Sequence, residues 1–479
     1  MAVASTPPLR EPQAGALGWA LGVAGLALLG AVMGVGLVMG EVDALIVSLS
    51  VIGCLAVLYD FRVGAVLLIL LLPLSESTLF PHGMFGMTGL NPINLLIGTT
   101  LVSYLAHGRS KPGGAFLPRK LWWLYVVPLL IGGALGSRHA TEVVPVLYES
   151  EVIHFLDATG YLRDIVAKPL LTVVIALLIA AAVARSKKAE GFLVAMGVSI
   201  WLICLLSIGY VFKSGASIAE LASADSRGFF TDIGLHGNSL GRLYAVAYSL
   251  LLFAWAQSSD RRFKTACVAT MGLLVIALVF TFSRGAFVGF LLVNGLFLLW
   301  RFNAKTAALA LLVGVALVLM LPEQVFERMS TGFGEDANAV SAGRIDGIWL
   351  PLLPELWRSP IWGNGLGSTM WSDAMHNGQM LVVGHPHNAY LEALLDVGAL
   401  GLAVLLAYYA HVWKNLRALG SNAVLSPELR GFYQGAAAGL LMLLVTGFVG
   451  SSLAPLPEQA FLWMAIGIMY GQLARRPAG

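Results

Sequence analysis

Late in the chain the residues run Gly384-His385-Pro386-His387-Asn388-Ala389-Tyr390-Leu391-Glu392, with Asp396 four positions further on. An imidazole has an unperturbed pKa near 6.5, so a histidine held at the edge of an apolar segment suits proton abstraction at neutral pH. His387 is the candidate general base, and His385, across Pro386, is a supporting residue. Asn388 is placed to cap the helix that the following apolar run predicts. Glu392 and Asp396 are one helical turn apart and share a face, so they could orient His387 or bind an acceptor. The plainer readings are a loop histidine bonded to a carbonyl and a pair of boundary carboxylates matched by nearby arginines.

Four arginines form the second group. Arg284 stands in Thr281-Phe282-Ser283-Arg284-Gly285, a tight turn between two apolar runs, and Arg242 follows His236-Gly237-Asn238-Ser239-Leu240-Gly241. Arg344 lies in Ser341-Ala342-Gly343-Arg344-Ile345-Asp346, and Arg227 in the segment before the Arg242 helix. A guanidinium is always charged and offers planar donors that fit phosphate oxygens two at a time, so several of them together make a diphosphate cradle. Charge at membrane depth is costly and is kept for pairing or function. Each arginine also has a plain role as an interfacial anchor or as the partner of a local carboxylate, Asp346 for Arg344 or Asp225 for Arg227. No Asp-x-Asp element sits in a loop with metal-ligand geometry, so the expected chemistry needs neither metal nor cofactor.

The elements that must position these residues are apolar. Of 479 residues, 58% are hydrophobic and 11% charged, with a mean hydropathy of +0.81, against roughly a quarter charged in soluble domains. Runs at about 17–39, 44–59, 63–78, 92–106, 121–136, 166–184, 190–212, 238–256, 264–282, 285–300, 305–321, 389–413, 431–452 and 458–473 are long enough to cross a hydrocarbon core of ~30 Å as helices. They lack the alternation of barrel strands. The expected fold is therefore all-α, a polytopic membrane bundle of about 12–14 spans in one domain over residues 1–479. The first run is too long for a signal-peptide core and reads as a retained span. Cys54, Cys204 and Cys267 lie in or beside apolar runs without ligand spacing and read as packing residues. The net charge of +3 gives no reason to expect nucleic acid.

Lysine and arginine favour cytoplasmic loops. With both termini cytoplasmic, 19 of the 29 basic residues fall on that side. Three segments of some length then face outward, 137–164, 213–237 and the large loop 322–388. The last, with Ile348-Trp349-Leu350-Pro351 and Trp362-Gly363-Asn364-Gly365, reads as ordered short helices and turns rather than a linker. No internal repeat and no appended soluble domain are seen.

His387-Asn388, nine residues, Gly398, two residues and Gly401 resemble the signature of the O-antigen ligases. It is shared more loosely with O-antigen polymerases and bacterial protein O-oligosaccharyltransferases. The Ser283-Arg284-Gly285 turn, the Gly343-Arg344 stretch and the turn from Pro360 to Gly367 are similar to that superfamily as well. The resemblance implies a class C membrane glycosyltransferase fold in the bacterial inner membrane. It implies a donor glycan on undecaprenyl pyrophosphate and transfer on the periplasmic side to a lipid A-core sugar. His387 would act as base and Arg284, Arg242, Arg344 and Arg227 would hold the diphosphate. Repeat-unit polymerisation and protein O-glycosylation share this machinery and stay open. A lipid-linked glycan transporter fits less well, because the unusual residues gather near one face and in one late loop rather than in paired halves at mid-membrane.

Overall fold

The computed structural model describes residues 42–475, apart from 82, 85–86, 90, 109–117, 151, 223–224, most of 302–322, 331–333 and 451. The runs expected at 17–39 and 305–321 lie outside the described residues. Every other expected run is matched by a helix. They are α1 (Val42–Tyr59), α2 (Phe61–Leu71), α3 (Pro92–Ser103), α4 (Arg119–His139), α5 (Ala158–Arg185) and α6 (Glu190–Ser214). After these come α7 (Gly237–Gln257), α8 (Arg261–Phe280), α9 (Arg284–Arg301), α10 (Ala389–Gly420), α11 (Pro427–Thr446) and α12 (Ala460–Ala474). Among the described residues, eight helices are long and apolar enough to cross a membrane. A two-residue hairpin, Gly83–Met84 with Met87–Thr88, is the one departure from helix and turn in the described part. The chain is thus a polytopic helix bundle, as its composition predicts.

Lipid tails are as apolar as leucine, so helices in a bilayer associate through close packing of small residues rather than through hydrophobic burial. The α7–α11 pair shows this. Gly431, Gly435 and Gly439 recur every fourth residue on α11, and a Cβ at each would run into Phe253 or Ser249 of α7. These two helices form the buried centre of the bundle, with Tyr244, Phe253 and Tyr433 fully enclosed.

Arg344, His385, His387, Asn388, Glu392 and Asp396 are carried by α10 and by the long connection before it. Its 32 residues would measure about 48 Å at 1.5 Å per residue, well beyond a bilayer core. Gly398 breaks the run with φ 70° and ψ −177°. Residues 389–397 form a separate first half, and residues 399–420 keep about 33 Å for crossing. The turn from Pro360 to Ser368 is seated on the break. Ala399 N–H donates to Pro360 O (2.9 Å), Asn364 N–H to Leu395 O (2.7 Å), Gly365 N–H to Asp396 O (2.9 Å) and Leu366 N–H to Gly132 O (2.9 Å). Main chain meets main chain there, because a Cβ on Gly398 would clash with the carbonyl of Ile361 and one on Gly363 with the carbonyl of Asp396.

This seam predicts a sharp contrast. Gly398→Ala combines a left-handed φ with a backbone clash and is expected to cost more than about 2 kcal/mol. Gly197→Ala on α6, where a Cβ meets nothing within 4 Å, should be neutral or gain about 0.5–1 kcal/mol. Thermal unfolding in detergent reads both, and a Gly398→Ala protein as stable as wild type would refute the seam.

Candidate active site

Asn388 begins the site. Its backbone is extended, and its side-chain oxygen accepts the N–H groups of Tyr390 and Leu391, each at 3.1 Å. That satisfies two of the orphan donors at the start of α10. His387, one residue before the cap, has φ 53°, a conformation that a histidine adopts only when its surroundings hold it there. Two contacts do so. His387 N–H donates to Nδ1 of His385 (3.2 Å), and Nε1 of Trp349 donates to Pro386 O (2.8 Å). Because His385 Nδ1 accepts, any proton on that neutral ring sits at Nε2. The two imidazoles lie edge to face, 4.1 Å apart between centroids.

Burial, then His385, then Arg344 and Arg242 push His387 down to about 3. His385 is pushed down to about 4, first by burial. Glu458 works against that shift, while Arg242, Arg344 and His236 add to it. At neutral pH both rings are therefore uncharged and able to accept a proton. The same interactions gather His385, His387, Arg242, Arg344, His236 and Glu458 into one electrostatic neighbourhood.

The arginines reach it from different elements. Arg242, on the first turns of α7, makes an ion pair with Glu458, and both side chains are largely buried, at 13% and 3% exposed. Its Nε is buried without a hydrogen-bond partner, and its other end lies beside Gly450. Arg344 follows Ala342 and Gly343, which take φ of 60° and 78°. That double left-handed turn sends Nη1 to Val449 O at 2.6 Å. Arg242 and Arg344 thus converge on the 447–450 segment between α11 and α12.

Arg284 opens α9 after a turn in which Phe282 has φ 44°, and Ser283 Oγ accepts from Ala286 N–H at 3.4 Å. This turn packs against α7 directly beside Arg242. A Cβ on Gly241 would clash with Ala286, and one on Gly237 would crowd Thr281 O at 3.3 Å. Arg284 is half-buried there. Arg227 lies on the short helix Asp225–Ile233 ahead of α7, and its side chain is outside the described residues.

The two carboxylates each hold a loop against α10. Asp396 is buried and accepts Gly367 N–H (3.0 Å), Ser368 N–H (3.0 Å) and Ser368 Oγ–H (2.8 Å). It is the side-chain clasp of the seam described above. Glu392 accepts from Ser452 Oγ at 3.0 Å, and its second oxygen is buried without a partner. Asp396 stands nine positions after His387, about 13 Å at helical rise, whereas Glu392 is five positions after it. Among the described residues no group of three His, Cys, Asp or Glu side chains could hold a metal ion.

Two members of this neighbourhood were not singled out by sequence. His236 caps α7, with Nδ1 accepting Asn238 N–H at 3.2 Å. Glu458 stands in Pro457-Glu458-Gln459, just ahead of the last apolar run. An acidic residue that close to a bilayer is itself a signal, but its partner Arg242 is 216 positions away, and no spacing rule reaches so far.

A search of curated proteins finds no match to this chain. Residues 269–406 match a family model described as O-antigen ligase. The matched segment contains Arg284, Arg344, His387, Asn388, Glu392, Asp396, Gly398 and Gly401, whereas Arg242, His236 and Glu458 lie outside it. Over that stretch the chain is similar to the O-antigen ligase family.

Proposed function

We propose that this chain is a glycosyltransferase of the O-antigen ligase type. It moves a glycan from a polyprenyl diphosphate, of the undecaprenyl kind, to a sugar hydroxyl of lipid A-core. The site would face the periplasm of a bacterial inner membrane, with both termini in the cytoplasm. The observation that carries the reading is the meeting of an uncharged His387 with Arg242 and Arg344 at the mouth of α10, inside or beside the segment that matches the family.

In this reading the acceptor oxygen attacks the anomeric carbon while His387 takes its proton. The bond from that carbon to the phosphate oxygen breaks, and the diphosphate leaves with the electron pair. Direct displacement of this kind inverts the anomeric centre. Arg242 and Arg344, with Arg284 from the adjoining turn and Arg227 from the helix ahead of α7, stabilise the negative charge that grows on the leaving group. Asn388 and His385 fix the backbone of His387. Binding also improves the base, since an anion beside Arg242 and Arg344 cancels two of the charges that hold the imidazole low.

His387→Ala should lower the rate of glycan transfer by about 10²–10⁴-fold, the usual contribution of a general base, while unfolding at the wild-type temperature. Arg344→Gln should lose about 10²–10³-fold. Purified protein, lipid-linked donor and core acceptor supply the assay, and near-normal transfer by His387→Ala would end the proposal.

The pH dependence follows from the depressed histidine. The folded value lies below the unfolded one of about 6.5, so the neutral ring is retained well into acid. In the free enzyme kcat/KM should stay flat from about pH 8 to below 6.5 and fall only at lower pH. By the same linkage, stability is fully present above about 6.5 and is lost as pH drops toward about 3. A half-maximal point for kcat/KM at about 6.5 would show a solvated, unperturbed imidazole instead.

A further inference from the structure

A second site-like feature lies away from His387. A cavity of about 180 Å³ opens between the end of α4 and the long connection, lined among others by Arg138, His139, Glu355, Arg358, Asn364 and Trp371. We infer that this cavity is a carbohydrate subsite for a sugar bearing an anionic substituent, and that it receives the acceptor in the transfer proposed above. The inference of a sugar site stands on the cavity alone, whereas its assignment to the acceptor rests on that functional reading.

The lining has the two parts that sugar recognition needs. One is an aromatic plate. Trp371 is buried and stacks on the His139 ring at 5.5 Å with an interplanar angle of 16°, and His139 is steadied by Glu142 at 2.8 Å. The other is a set of fixed polar groups. Glu355 is 7% exposed, and its carboxylate accepts Asp373 N–H at 2.7 Å and Arg358 Nη1 at 3.0 Å. A buried carboxylate held from two sides orients Arg358 at the rim, where the guanidinium also meets Asp373 at 3.2 Å and half of its side chain stays exposed. Arg138 adds a second exposed guanidinium to the lining, and an exposed guanidinium favours phosphate or carboxylate. Few, convergent polar groups around an aromatic wall are the usual make-up of a small-molecule pocket.

Position links the cavity to the transfer site. Leu395 forms part of the wall and stands two turns, about 10 Å, down α10 from the His387-Asn388 corner. The two sites therefore flank one rigid half-helix. The strip that forms the rim is amphipathic as well. Leu350, Leu353, Trp357 and Ile361 are exposed, while Leu352 and Glu355 turn inward. An apolar ridge bearing a tryptophan suits the water-lipid boundary, so the cavity is placed for a sugar whose lipid tail remains in the bilayer.

Saturation-transfer NMR on the full-length protein in detergent tests this, with glucose 6-phosphate as the probe, glucose as the comparison and inorganic phosphate as a competitor. The ring protons of glucose 6-phosphate should receive saturation, and His139→Ala and Arg358→Gln should each lower it at least fivefold. His387→Ala should leave it unchanged. Arg138→Gln, at an exposed position, serves as a third variant should either of the others lose wild-type thermal stability. Equal signals in the folded variants, loss in His387→Ala, or saturation of glucose as strong as that of glucose 6-phosphate would overturn the proposal. In the transfer assay Arg358→Gln should raise the KM for acceptor and leave the KM for donor unchanged. If the probe binds as described while His387→Ala still transfers glycan, the functional reading falls and the sugar site stands.

Discussion

The structure turns on a place where two stretches of main chain touch with no side chain between them. Gly363 and Gly398 allow the turn that starts at Pro360 to lie on the break in α10, and Asp396 ties that turn down with three hydrogen bonds. A long connection with its own short helices has many ways to sit over a bundle. This seam selects one of them. It fixes the first half of α10, and with it the corner where Asn388 caps the helix and His387 is held at a positive φ. The seam and its clasp also wall the Arg138–Arg358 cavity through Asn364, Ser368 and Leu395.

Electrostatics then builds on that geometry. Arg242 is nearly enclosed, and an enclosed guanidinium without a counter-charge is prohibitively costly. Glu458 supplies the counter-charge from 216 positions further along the sequence. The buried, unpartnered Nε of Arg242 shows that the pair does not use all of its donors. Burial and the local positive charge keep the two histidines neutral, so the resting site combines cations that do not titrate with imidazoles that are already deprotonated.

Much of the architecture was legible because apolar length is a strong signal. Every described run expected from hydropathy is a helix, with edges moved by a few residues. The run read as 63–78 leaves α-helical geometry after Leu71, where Leu72-Pro73-Leu74 tightens into a 3₁₀ turn. The run read as 389–413 continues to Gly420, since Lys414 and Arg417 are good helix formers that hydropathy alone discounts. The break at Gly398 was hidden inside an unbroken apolar stretch. Of the site, His387, Asn388, Arg344 and Arg242 could be read from residue type and local motif. Asp396 could not, because its role is set by a turn about thirty residues earlier, and Glu458 could not, because its partner lies on another helix. Local pattern names the groups, while long-range packing decides what each one touches.

The central claim is that a diphosphate, an imidazole and at least two guanidinium groups share one site at the mouth of α10. An experimental structure with a non-reactive polyprenyl diphosphate glycan bound tests it most directly. The account predicts the diphosphate oxygens within hydrogen-bond distance of Arg242 and Arg344, with the anomeric carbon turned toward His387. Diphosphate bound elsewhere, for instance between Arg138 and Arg358 with His387 facing empty solvent, would contradict it.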